Sequence, residues 1–142
     1  MARIKIEYPE TTLFTHDLSV RITDLNYGNH LAHDSLISLL HEARAQFFVA
    51  HHMQEHNIDG AGIIVADLAV SYKAEAHFGQ IIQIEIALDD FTRKGCDMLY
   101  RMTCKESATV IAVAKTGLVF FDYKTKKPVF IPESFLRVAN KT

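Results

Sequence analysis

Cysteine is scarce: the 142 residues contain two, Cys96 and Cys104. They fall in one strand-rich region, and in a reducing compartment they are expected as buried free thiols, which argues against a disulfide-stapled secreted domain. No stretch approaches the ~18 uninterrupted apolar residues needed to cross a bilayer, so no membrane association is expected. The opening Met-Ala-Arg-Ile-Lys-Ile-Glu-Tyr carries charges where an export signal needs an apolar core, which predicts a cytoplasmic location. Charge of one sign is lacking too. Fifteen lysines and arginines face 17 acidic residues for a net charge of −2, with no basic stripe interleaved with aromatics, so nucleic acid is not an expected partner.

The three prolines sit near the ends, and no repeat, low-complexity tract or flexible linker divides the chain. The expectation is one domain over 1–142, with a core from about 15 to 138. Fingerprints are missing as well: no Gly-x-Ser-x-Gly elbow, no phosphate loop and no dinucleotide-binding glycine pattern occurs. What remains is a chain with 49% hydrophobic and 23% charged residues, ordinary for a protein with a buried core.

From His16 to Ile22, the residues Leu18, Val20 and Ile22 alternate as in a half-buried strand. Residues 23–33 break that alternation with turn formers around Gly28. Asp34 or Ser35 then offers a cap for a helix to about His52, in which Leu36, Leu39, Leu40, Ala43, Phe47 and Ala50 form an apolar stripe. The segments 63–72, 80–91, 97–105 and 110–123 are rich in β-branched and aromatic residues and separated by short turns, the pattern of an antiparallel meander. A short helix is expected from Pro132. Five apolar strands with one long helix predict an α+β protein, a curved antiparallel five-stranded sheet wrapped around one central helix.

The helix-entry segment Asp24-Leu25-Asn26-Tyr27-Gly28-Asn29-His30-Leu31-Ala32-His33 packs a carboxylate, two carboxamides and two imidazoles into ten residues. Free N–H groups at a helix N-terminus can stabilise negative charge developing on a carbonyl oxygen, and a nearby base or amide can direct water. The same residues also suit side-chain turns and capping. His51, His52 and His56 cluster with Glu55 at the helix end, where imidazoles favoured by the helix dipole account for them without a metal.

Val20-Arg-Ile-Thr-Asp-Leu-Asn-Tyr-Gly-Asn-His-Leu-Ala-His-Asp-Ser-Leu, followed by His41-Glu-Ala-Arg, resembles the opening signature of the 4-hydroxybenzoyl-CoA thioesterase-like hotdog family. Val70-Ser-Tyr72 and Gly79-Gln-Ile-Ile-Gln-Ile resemble the family's next strands, so the likeness runs from about residue 17 to 123. It implies a hotdog fold, homodimers joined sheet edge to sheet edge, frequent homotetramers, and active sites at subunit boundaries.

The resemblance also distributes roles. Asn26 stands where the family carries its catalytic carboxylate, with Asp24 two residues before it. His33 matches a functional histidine of one branch and the backbone N–H of the oxyanion site, and His30 matches the histidine of plant-type acyl-carrier-protein thioesterases. Glu42 matches a branch whose carboxylate comes from the helix. Asn26 cannot take a proton but can orient water or hold a carbonyl oxygen, leaving His30, His33 or Glu42 as base. Leu36 and Leu40 are expected to wall an acyl pocket. By charge alone, Arg93 and Lys94, in a turn between strands, suit either coenzyme A phosphates or a solvated turn, and Lys124, Lys126 and Lys127 carry the same two readings.

The expected reaction is hydrolysis of an acyl-CoA or acyl-carrier thioester. Coenzyme A enters as part of the substrate, with no separate cofactor and no metal. The alternatives are an acyl-CoA-binding module without turnover and an acyl-thioester hydratase or dehydratase.

Overall fold

The computed structural model of the protein describes residues 1–140. In chain order the elements are β1 (Phe14–Ser19), a single 3-10 turn (Ile22–Asp24), α1 (His33–Ala50), β2 (Gly62–Tyr72), β3 (Ile81–Asp89), β4 (Gly95–Cys104), β5 (Val110–Asp122), β6 (Lys127–Pro128) and α2 (Glu133–Val138). All strand pairs are antiparallel, in the order β1-β3-β4-β5-β2, with the two-residue β6 on β5. The sheet curves around α1. Among the described residues no helix is long and apolar enough to cross a membrane.

The register explains the core. Ile82, Ile84 and Ile86 of β3 lie opposite Cys104, Met102 and Tyr100 of β4, all essentially buried. Leu36, Leu39, Leu40, Ala43 and Phe47 of α1 belong to the same apolar cluster. Each large side chain removed from water contributes roughly 1.5–3 kcal/mol, so the period-two and period-3.6 patterns jointly hold the helix to the sheet. Both cysteines are free and buried.

Four expectations need correction. The sheet has six strands rather than five, because Asp122 accepts the N–H groups of Lys124 and Thr125 and folds the chain back as β6. The first strand stops at Ser19: Ile22 is 64% exposed in the 3-10 turn, which Asp24 closes by binding Arg21. The helix starts at His33 with Ala32 as its N-cap residue, so neither Asp34 nor Ser35 caps it, and its stripe ends before the exposed Ala50.

The fourth concerns residues 1–13, which lie outside the expected core yet are bound to the outer face of the sheet. Thr12 donates to Glu85, Tyr8 stacks against the Arg101 guanidinium at 4.3 Å, and Arg3 donates to the Tyr72 carbonyl.

Candidate active site

The helix-entry loop is pinned at three points. The Asp24 carboxylate is buried and accepts the Arg21 backbone N–H at 2.8 Å and its guanidinium at 3.0 and 3.2 Å, while the Asp24 carbonyl takes the Ala32 N–H at 2.9 Å. The Arg21 bonds hold the Asp24 carboxyl below the usual carboxylate range. Asn26 closes a tight turn: its Oδ1 accepts the Gly28 N–H at 2.9 Å, and its N–H donates to the His30 carbonyl. Leu31 N–H donates to Ala76 O at 2.8 Å, which fastens the loop to the β2–β3 connector.

Between loop, connector and helix start lies a cavity of about 380 Å³. Asn26, His30, Leu31 and His33 line it from the loop and the first helical residue, Leu36 from α1, Tyr72, Ala74, Glu75 and Ala76 from the end of β2 and its connector, and Ile111 from β5. Among the described residues no side chain caps α1. Its first-turn N–H groups, which a helix leaves without internal partners, begin at His33 on the cavity wall.

Polar groups converge on this space. With Asn26 Oδ1 committed to the turn, its NH₂ remains as a donor. A Cβ built on Gly28 would lie 3.0 Å from His30 Nε2 and 3.2 Å from Asn26 Oδ1, so glycine is what lets these two side chains close around the turn. His30 Nδ1 is 3.4 Å from the Leu31 carbonyl, and His30 Nε2 is 3.8 Å from Glu75 Oε1. The Tyr72 hydroxyl donates to the His33 carbonyl at 3.3 Å. Burial, then the charge of Asp34, pushes the Tyr72 phenol above its ordinary value and keeps it a donor.

Of the residues singled out in the sequence, Asn26, His30, His33 and Leu36 meet in this cavity. Asp24 acts on the backbone beside it. Leu40 is 1% exposed within the core cluster and does not line the cavity. Glu42 is exposed on α1 and accepts from Gln46 at 2.8 Å; Arg44, two residues on, reaches Glu55 and the Tyr100 hydroxyl.

Arg93 and Lys94 stand at the other end of the sheet. The Lys94 carbonyl takes the Phe120 N–H, whereas Tyr72 pairs with Ala112, eight residues earlier on β5, or about 26 Å at ~3.3 Å per residue. Lys124, Lys126 and Lys127 share that far end. Sequence reasoning did not assign Tyr72, Glu75 or Ile111 to the site. Tyr72 was visible as the strand tyrosine of the resemblance, and Glu75 is the only acidic residue between Asp67 and Glu85.

A second hollow of about 400 Å³ lies beside the later half of α1, lined by His41, Glu55, His56, Ile63 and Tyr123 among others. Glu55 Oε2 accepts from Arg44, and its buried Oε1 has only His41 Nε2, at 3.4 Å and out of hydrogen-bond alignment.

The sequence model described as the thioesterase-like superfamily matches residues 20–138, from the residue after β1 to the end of α2. The chain belongs to that superfamily. Solved thioesterase structures show that the fold is the hotdog fold. A 1,4-dihydroxy-2-naphthoyl-CoA thioesterase from Synechocystis superposes with a TM-score of 0.82 at 18% identity, covering 89% of this chain and 95% of the other. A Staphylococcus aureus protein in complex with CoA gives 0.81 at 14% identity, covering 96% and 87%. The DHNA-CoA thioesterase of Staphylococcus aureus gives 0.78 at 15% identity, covering 89% and 88%. No curated protein matches the chain by sequence. At these identities the likeness to solved structures establishes the fold, and membership of the thioesterase-like superfamily rests on the sequence match.

Proposed function

We propose that this thioesterase-like protein hydrolyses an acyl-CoA thioester to the free acid and thiol in the cavity at the start of α1. The observation that carries the reading is an uncapped helix N-terminus opening on a largely apolar cavity that also holds a carboxamide donor and two imidazoles. Thioester hydrolysis passes through a tetrahedral oxyanion, and N–H groups fixed before the reaction stabilise it without reorganisation. The N–H groups at His33 and the next residue take the oxyanion, the Asn26 NH₂ steadies carbonyl or water, and His30 and His33 border the reacting centre. Leu36 and Ile111 give the acyl group an apolar wall. The CoA-bound relative supports a coenzyme A thioester as the ligand class.

The working unit in this reading is a homodimer. β2 is an 11-residue edge strand on which Ile64, Val65, Leu68 and Tyr72 are 36–42% exposed. A long apolar edge left open invites pairing with another chain. Two-fold antiparallel pairing about its middle sets Tyr72 of one copy near Gly62 of the other, so each cavity gains a wall from the partner's hollow beside α1. A tetramer would join two such pairs. Leu68→Lys is expected to yield monomers in sedimentation. The two free buried cysteines suit a cytoplasmic setting.

The test is thiol release from acetyl-, hexanoyl-, palmitoyl- and benzoyl-CoA by the wild type and by Asn26→Ala, His30→Ala and His33→Ala. Turnover that falls in the variants supports hydrolysis here. Asn26, where the resemblance calls for a carboxylate, favours a second reading as an acyl-CoA-binding module. Saturable binding of these compounds with no turnover by the wild type would install that reading.

A further inference from the structure

Hydrolysis needs a group that takes a proton from water, and a carboxamide at position 26 cannot do so. Among the side chains lining the cavity, Glu75 alone carries a carboxylate. It enters from the β2–β3 connector, not from the loop or helix where the resemblance seeks the base.

The connector is held rigidly around it. Lys73 and Ala74 donate their N–H groups to Ile111 O at 2.8 and 3.2 Å, Ala76 O accepts from Leu31, and the His77 N–H donates to Gln80 Oε1 at 2.8 Å. Backbone hydrogen bonds on both sides thus fix where the Glu75 side chain departs, while that side chain is 62% exposed and free to meet a ligand. Its Oε1 is 3.8 Å from His30 Nε2 and its Oε2 is 3.8 Å from His77 Nε2. These distances exceed a direct hydrogen bond. The carboxylate therefore lies between two imidazoles, with no hydrogen-bond donor to its oxygens among the described residues, in a cavity that also contains the helix start.

We propose that Glu75 is the general base of the reaction, replacing the carboxylate that is absent at position 26; this rests on the hydrolytic reading above. Glu75 removes one proton from water as the water oxygen bonds to the thioester carbonyl carbon, and the carbonyl electron pair moves onto oxygen, facing the N–H groups of α1. The adduct collapses, the carbon–sulfur bond breaks, and the Glu75 proton passes to the departing sulfur. One water is consumed, the acid and the thiol are released, and Glu75 is again a carboxylate. His30 and His77, each 3.8 Å from one of its oxygens, flank the carboxylate on either side.

The experiment measures kcat, KM and the dissociation constant for CoA in the wild type, Glu75→Gln and Glu75→Ala, using whichever acyl-CoA of the panel turns over fastest. Loss of a general base is worth about 10²–10⁴-fold. Glu75→Gln is therefore expected to lose about 100-fold or more in kcat with CoA binding unchanged, and added formate should restore part of the activity of Glu75→Ala. A side chain that only shapes the surface would change KM and show no formate rescue. An active wild type with Glu75→Gln within about threefold of it in kcat would overturn the Glu75 assignment and leave hydrolysis standing. A wild type that turns over no thioester would overturn both.

Discussion

Tyr100→Phe removes a single oxygen from the interior. Tyr100 is fully buried on β4, and its hydroxyl accepts from Arg44 Nη1 at 3.2 Å and pairs with Thr116 Oγ1 at 2.7 Å. Burial pushes the phenol up, so it remains a neutral donor as well as an acceptor. Arg44 is 7% and Thr116 2% exposed, so water cannot readily replace the lost oxygen at either. One neutral bond at about 1 kcal/mol and one to a charged group at about 1.5–3 kcal/mol predict a loss of roughly 2–4 kcal/mol, with the ring packing unchanged. Thr116→Val removes only the neutral bond and should cost about 1 kcal/mol. Because both touch one hydroxyl, the double variant should cost less than the sum. Urea unfolding at fixed protein concentration measures all three. A Tyr100→Phe loss below about 0.5 kcal/mol, under the lowest value for one net hydrogen bond, would refute the account of this network as a dry, coupled unit.

Gly28→Ala places a methyl 3.0 Å from His30 Nε2 and 3.2 Å from Asn26 Oδ1 on an exposed turn; displaced polar groups should lower kcat about 10- to 100-fold with little change in melting temperature. The Cys96 thiol, buried and pushed up to about 12 chiefly by desolvation, should react with a disulfide reagent only after denaturant is added. Asp24 has a depressed carboxyl, so its contribution is present above the ordinary value near ~3.9 and is lost as pH falls through the folded value. Asp24→Asn should accordingly melt below the wild type at pH 7, and the gap should close as both are taken to acid.

The helix was legible because Leu36, Leu39, Leu40, Ala43 and Phe47 repeat at three and four and all are buried. The strands followed from their β-branched runs. Local alternation misled at Ile22, where a side chain two residues on, Asp24, binds Arg21 and ends the extended chain. Residues 1–13 showed no period because their contacts are to groups distant in sequence, the Glu85 and Arg101 side chains and the Tyr72 and Ile86 carbonyls.

The site divides the same way. Asn26, His30 and His33 stood out by density within one loop, whereas Tyr72, Glu75 and Ile111 join them only through strand order and the Leu31–Ala76 bond. Arg93 and Lys94 looked suitable by charge, but β4–β5 register carries them to the far end. Charge type is written in sequence; which end of a sheet it occupies depends on pairing.

Thioester hydrolysis in the cavity at the start of α1 can be tested by filling that space. Ala74 lines that cavity from an exposed connector, outside the buried core, so Ala74→Trp should fill much of it without disturbing the sheet. Thiol release by the wild type and Ala74→Trp, side by side on the acyl-CoA panel, is the direct measurement. Turnover by the wild type and its loss in Ala74→Trp at an unchanged melting temperature are expected; equal turnover by both, or none by the wild type, would rule out hydrolysis in this cavity.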